Sequence, residues 1–392
     1  MSALVRSPRF SAIALLTAAV LGLVVANSPL GPGLERALDA HSPWGAVGLD
    51  LSVSHWISDG LLAVFFLLVA IELKQELVDG ELSNPKTAVV PAIAAVGGVV
   101  VPAGIYLAVT TGTAYQHGWP IPTATDIAFA LGVLAVFGRG LPSTLRVFLL
   151  ALAVLDDLIA IVIIAVVFAH GTDFLALGGA VVALLVFAVL GRLLRPGRSA
   201  QTWIVVAMVL VGLVTWWLVY HSGVHATIAG VALGLVLPRR PAHTLHEHVE
   251  PWSNAVVLPV FAFASAAVVV PAVGIGELSP TFWAVVLALP VGKVLGITLF
   301  GVVATRVFRA PGRSRLSFGS IVTVGVLGGI GFTVSLLMNE LAFARNEEIL
   351  DEGVLAVLVG SGIAIVASAV VVSAKARHHR ARRALSEADA TE

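Results

Sequence analysis

The sequence predicts an all-α, polytopic membrane protein of twelve transmembrane helices. Three observations carry that expectation. Of 392 residues, 58% are hydrophobic and 12% charged, whereas a soluble domain is typically ~25% charged. The mean hydropathy is +0.99. The apolar residues fall into separated runs, each near the ~20 residues that a spanning helix needs. Too few polar side chains remain to cover a water-facing surface, and the same figures exclude intrinsic disorder. Cysteine is absent, which excludes a disulfide framework and a thiol nucleophile. A net charge of zero argues against a nucleic-acid binder.

The runs separate at charge clusters and at Pro/Gly clusters. They lie near 10–27, 54–77, 88–110, 119–138, 143–169, 174–192, 202–219, 221–238, 252–270, 281–305, 317–342 and 353–374. The first follows Arg6 and Arg9 without a clear small-residue cleavage site, so it reads as a retained helix rather than a signal peptide. Loop 28–53 is long enough for a hairpin or a short helix. Residues 1–377 read as one transporter domain. The tail 378–392 reads as polar, cytoplasmic and disordered.

The Lys/Arg distribution orients the chain. Twelve spans put both termini on one side. That side then carries Arg6, Arg9, Lys74, Lys86, Arg139, Arg146, Arg192, Arg195, Arg198, Arg239, Arg240, Arg306, Arg309, Arg313, Arg315 and the basic tail, against Arg36 and Arg345 opposite. Dropping one span would scramble this sorting. Both termini are therefore expected in the cytoplasm.

An ionised side chain at mid-membrane costs at least about 2.5–3.5 kcal/mol, so the few charges inside the runs are informative. In mid-run they are Asp126 in the fourth, Asp156 and Asp157 in the fifth, and Lys293 in the tenth; Asp59, Glu72 and Glu76 lie in the second. Helical neighbours such as Asp156 and Asp157 point about 100° apart. One can meet a partner helix while the other stays open. Burial and a nearby carboxylate both favour the protonated form of an acid, so a buried pair can exchange protons near neutral pH. Their oxygens also suit a hard cation such as Na⁺. Cation and protons would then compete for one site, which is what an exchanger requires. Lys293 is the sole Lys or Arg in the middle of a run. Unlike Arg, a buried Lys can lose its proton, so Lys293 reads either as a participant in proton release or as a structural tie between helices.

Two runs look interrupted: Trp119-Pro120-Ile121-Pro122-Thr123-Ala124-Thr125-Asp126, and Gly325-Val326-Leu327-Gly328-Gly329-Ile330-Gly331-Phe332-Thr333. Proline removes amide donors and clustered glycine weakens a helix. Pro120, Pro122, Gly328, Gly329 and Gly331 are thus candidate helix breaks in spans 4 and 11. Close packing of small residues is the other reading of the glycines, and a simple entry turn that of the prolines. Three-helix units over about 88–169 and 281–374 would each have a broken middle helix and opposite topology. Asp126 would then offset two positive helix ends. Paired interruptions of this kind point to a transport site.

Glu72 and Glu76 share one helix face at the cytoplasmic end, and read either as a solvated helix end or as the mouth of a cation funnel. His243, His246, Glu247, His248 and Glu250 read as a solvated loop that titrates near neutral pH, with a metal site as the lesser alternative. His225 reads as a buried, hydrogen-bonded histidine, with a part in the mechanism as the lesser alternative.

Several segments together resemble the bacterial NhaA-type Na⁺/H⁺ antiporters. They are Ala63-Val64-Phe65-Phe66-Leu67-Leu68-Val69, Ala124-Thr125-Asp126-Ile127-Ala128-Phe129-Ala130-Leu131-Gly132-Val133-Leu134, Leu155-Asp156-Asp157-Leu158, Ser222-Gly223-Val224-His225-Ala226-Thr227, Gly292-Lys293 before Leu295-Gly296, and Gly329-Ile330-Gly331-Phe332-Thr333. They run in order across nearly the whole chain. The resemblance implies inverted three-helix repeats, broken spans 4 and 11 crossing near mid-membrane, and export of Na⁺ or Li⁺ for incoming protons without a cofactor. By position, Asp157 looks like the principal cation ligand with Asp156 beside it. Lys293 looks like the partner of Asp156, Thr125 like an accessory oxygen, and Asp126 like the helix-end compensator. Asp59 also matches a family acid. Glu72, Glu76, Glu247 and Glu250 fall in the region tied to pH response. A multi-pass location in the bacterial inner membrane and a homodimer are implied too. The chain departs from the family pattern at Gln75, where Arg is frequent, and in the Glu/His order of 246–250. Both departures bear on the pH profile rather than on the ion site.

Two rival functions make different demands. A sodium-coupled carrier of a small organic solute wants a roomier pocket and no lysine tied to the acids. An intramembrane hydrolase wants two acids facing one another from separate helices, not adjacent in sequence.

Overall fold

The computed structural model describes residues 7–43, 45, 48–169, 171–194, 201–271, 274–308 and 317–389. Among them all regular structure is helical, apart from isolated bridge residues such as the antiparallel pair His41 and Ser52. Nine helical segments are long and apolar enough to cross a membrane, or ten if one bent pair counts as a single span. The chain divides into two compact units. One holds Ala18–Gly80 and Leu158–Ala267, and the other Ser2–Thr17, Glu81–Asp157 and Val268–Glu392.

In chain order the helices are α1 (Pro8–Ala26), α2 (Gly31–Leu38), α3 (Val53–Val78), α4 (Pro85–Val109), α5 (Ile127–Phe137), α6 (Ser143–Val167), α7 (Phe174–Leu193), α8 (Gln201–His221), α9 (Thr227–Val236), α10 (Arg239–Trp252), α11 (Leu258–Ser265), α12 (Pro280–Val307), α13 (Phe318–Gly328), α14 (Phe332–Phe343) and α15 (Glu347–Asp389). Loop 28–53 holds both the short helix α2 and the His41–Ser52 bridge.

The unit containing α3, α7, α8, α9 and α10 is built on close backbone approach. A Cβ on Gly230 of α9 would collide with the carbonyl oxygen of Ala63 on α3, and one on Gly234 would lie 2.5 Å from that of Leu67. Side chains from α3, α7, α8 and α9 then close a core around Ile71, Phe187, Met208 and Leu233. A π-helical turn, Trp56–Leu61, interrupts α3. There the indole Nε1 of Trp216 donates to the carbonyl of Asp59 at 3.0 Å, while Trp216 stacks on Trp56 and Tyr220. His225 is mostly buried, with Nε2 3.4 Å from Asp59 Oδ1.

The unit containing α4, α12 and α15 rests on the same device. A Cβ on Gly296 of α12 would run into the carbonyl oxygen of Gly97 on α4. A π-helical turn, Ala288–Gly292, carries Pro290 and delivers Lys293 into the core. Such turns recur at functional sites.

Two expectations are corrected. Residues 239–252 form a helix, not a loop. Their polarity hid the helical spacing of Ala242, Leu245, His246 and Val249, and Pro241 falls in the first turn, where its missing N–H is harmless. The tail is helical through Asp389. Alanine and arginine dominate 376–384, are good helix formers, and extend a helix that is already nucleated.

Candidate cation site

The site is built where two chain segments leave helical geometry. In the first, Pro120 and Pro122 shape a 3₁₀ turn over Ile121–Thr123. The backbone is then extended at Ala124 (ψ 157°) and Asp126 (ψ 102°), and α5 begins at Ile127. In the second, α13 ends at Gly328 and α14 starts at Phe332, with a 49° bend between them. No glycine of this segment needs a left-handed backbone: Gly329 has φ −71° and Gly331 φ −91°. Their small size is what matters. A Cβ on Gly328 would lie 2.6 Å from Ile297 Cδ1, and one on Gly331 would lie 2.7 Å from Leu289 Cδ1.

Hydrogen bonds join the two segments. Asp126 N donates to Ile330 O at 2.6 Å. The Thr125 hydroxyl donates to Gly328 O at 2.8 Å, a carbonyl in the last turn of α13. The Asp126 carboxylate caps two helices at once. Oδ1 accepts from Phe129 N of α5 at 3.0 Å. Oδ2 accepts from Thr333 of α14, from Oγ1 at 2.7 Å and from N at 3.3 Å. One negative charge therefore sits at two positive helix ends, the arrangement that dipole electrostatics favours. Each cap is worth about 1 kcal/mol. The Ser361 hydroxyl accepts from Phe332 N at 3.1 Å and completes the start of α14.

On α6, Asp156 and Asp157 are both buried. Lys293 Nζ lies 2.6 Å from Asp156 Oδ2, and neither side chain is exposed. Thr125 stands beside Asp156, whose Oδ1 has no hydrogen-bond donor among the described residues. Asp157 is close enough to Lys293 to feel its charge. The stem of Lys293 runs past Gly98 of α4, where an added Cβ would also lie 2.9 Å from Ile297 Cγ1. The structure thus gathers Thr125, Asp126, Asp156, Asp157 and Lys293 into one unit. Three carboxyl groups share this unit with one amine, and their oxygens suit a small hard cation.

The other expected residues lie in the other unit, on α3 and α10. Glu72 lies near Glu76 and Glu250. His246 Nδ1 is 3.6 Å from Glu250 Oε2. Glu247 pairs with His243 at 3.5 Å, both well exposed. Lys74 is engaged elsewhere: Nζ donates to Leu235 O at 2.7 Å and to Leu237 O at 2.8 Å, which caps the end of α9. No group of three or more metal-ligating side chains occurs among the described residues.

Thr333 and Ser361 lie outside the residues expected from sequence. A hydroxyl in the first turn after a glycine-rich break was the available signal for Thr333. Nothing local marks Ser361, which acts from a distant helix.

Comparison with known proteins agrees over nearly the full length. Residues 2–372 match the family described as Na⁺/H⁺ antiporter 1. The Na⁺/H⁺ antiporter NhaA 2 of Clavibacter michiganensis subsp. michiganensis is 59% identical, covering 99% of this chain and 95% of that one. NhaA of Tropheryma whipplei is 45% identical over 94% of both chains. NhaA 3 of Streptomyces coelicolor is 46% identical, covering 98% and 82%. Among solved structures, the sodium proton antiporter MjNhaP1 of Methanocaldococcus jannaschii at pH 8 aligns with a TM-score of 0.55 at 15% identity, over 93% of this chain and 91% of that one. It speaks to the fold alone.

Proposed function

The chain belongs to the Na⁺/H⁺ antiporter 1 family, and from that premise we propose that it exports Na⁺, or Li⁺, in exchange for protons across a bacterial inner membrane. The observation that carries the reading is the buried Asp156–Asp157 pair with Lys293 at 2.6 Å from one member. With the site open to the cytoplasm, Asp157 is the principal ligand, aided by Asp156 and Thr125. Cation binding displaces protons. Facing the other side, protons displace the cation. The proton gradient drives the cycle, and the membrane potential contributes if more protons than cations move.

We read Asp126 as the compensator of facing helix ends and Lys293 as the group released when Asp156 takes up a ligand. Glu72, Glu76 and Glu250 form the cytoplasmic approach that sets the pH response, with Glu247 at its outer, solvated edge. Twelve spans follow if α9 and the segment Ser253–Ser265 are added to the ten apolar candidates. The fourth and eleventh are then broken spans that cross, and 88–169 and 281–374 are inverted repeats with both termini cytoplasmic. A homodimer is consistent with the long loop 28–53. No observation favours a sodium-coupled organic-solute carrier.

Everted vesicles containing the protein test the reading. Adding Na⁺ should collapse a preformed ΔpH, and a Na⁺ affinity in liposomes that is indifferent to pH would refute competition at one site.

A further inference from the structure

We propose that residues 375–383, where α15 leaves the apolar layer, form a docking surface for anionic lipid headgroups. This rests on the multi-pass reading of the chain and on nothing about the cation site. The helix is charge-polarised along its length. Its first turn carries Glu347 and Glu348, with Asp351 and Glu352 just beyond. After an apolar stretch ending near Ala374 it carries Lys375, Arg377, Arg380, Arg382 and Arg383 with no acid among them, plus His378 and His379.

Geometry places Arg377 and Arg380 at headgroup depth. The polar layer on each side of a bilayer is about 5–8 Å thick. From Lys375 to Arg380 the helix rises about 7.5 Å and so crosses that layer. Arg377, His378 and Arg380 are exposed. Among the described residues neither Arg377 nor Arg380 forms an ion pair. The surface is also held in place by packing. Ala376 is fully buried, and the stem of Arg380 lies over Gly140 (a Cβ there would lie 3.0 Å from Arg380 Cγ). Gly140 belongs to the loop that follows α5, the helix capped by Asp126. Bases at the edge of an apolar helix, with Arg377 and Arg380 exposed, are placed to meet lipid phosphates. Each such base strengthens attraction to an anionic leaflet about fivefold.

The test uses the purified full-length chain in neutral detergent. It is titrated with phosphatidylglycerol or phosphatidylcholine, and bound lipid is counted by native mass spectrometry. Wild type should prefer phosphatidylglycerol, lose the preference as NaCl rises, and keep it in millimolar inorganic phosphate. The quintuple variant K375Q/R377Q/R380Q/R382Q/R383Q should lose it, while lysine at the four arginine positions should keep it. The milder pair R377Q/R380Q, at exposed side chains, should weaken binding by roughly 25-fold with an unchanged melting temperature. Equal binding of both lipids by wild type, a full preference retained by the glutamine variants, or displacement by free phosphate overturns the proposal.

Discussion

Lys293 and Asp156 lie 137 positions apart in sequence, yet their charged atoms meet at 2.6 Å with neither side chain exposed to solvent. A buried pair of this kind is weak evidence for stability as such, because desolvation offsets much of the attraction. Its sensitivity lies in breaking one partner. Lys293→Ala should lower stability by about 3–5 kcal/mol through the stranded carboxylate, read as thermal unfolding in detergent. Adding Asp156→Asn should recover part of that loss. A double variant no more stable than the single one would show that the two groups are not coupled.

Asp157 stands beside the pair. Asp157→Asn should abolish Na⁺-dependent collapse of ΔpH in everted vesicles at wild-type levels of membrane protein. Retained activity at saturating Na⁺ would remove Asp157 as ligand.

Asp126 caps two helices while Thr333 contributes to one cap. Asp126→Ala should therefore cost about 2 kcal/mol, two caps of about 1 kcal/mol each, and Thr333→Val roughly half. Denaturation of both variants in the same detergent compares them. Equal losses would mean that the α5 cap contributes nothing.

Lys74 caps the end of α9 through two carbonyls, and nearby Glu72 faces Glu76 and Glu250. Lys74→Met should destabilise by about 1 kcal/mol with little effect on the pH profile of exchange. Glu72→Gln should do the reverse, moving the profile more than the maximal rate. The two profiles, measured side by side against wild type, separate a structural charge from a regulatory one.

Much of this was legible in the sequence, for identifiable reasons. Charge is so costly in hydrocarbon that Asp126, Asp156, Asp157 and Lys293 announce themselves. The all-helical class and most of the apolar runs follow from composition. The π-helical turns at 56–61, 253–257 and 288–292 were not legible. At 56–61, tertiary partners such as the Trp216 indole on the Asp59 carbonyl complete a turn that local propensity does not encode. The helix at 239–252 was obscured because periodicity is hard to see in a segment with few apolar residues. The role of Lys74 was not legible either. Its sequence neighbours are the acids Glu72 and Glu76, yet its long stem reaches a helix end contributed 161 residues away.

The bonds from Thr125 to Gly328 and from Asp126 to Ile330 and Thr333 mean that the two non-helical stretches act as one clasp. Neither can slip past the other without breaking several buried polar contacts at once. A displacement that moves one must carry the other along as a passenger, so the junction travels as a rigid piece and the deformation falls on chain elsewhere.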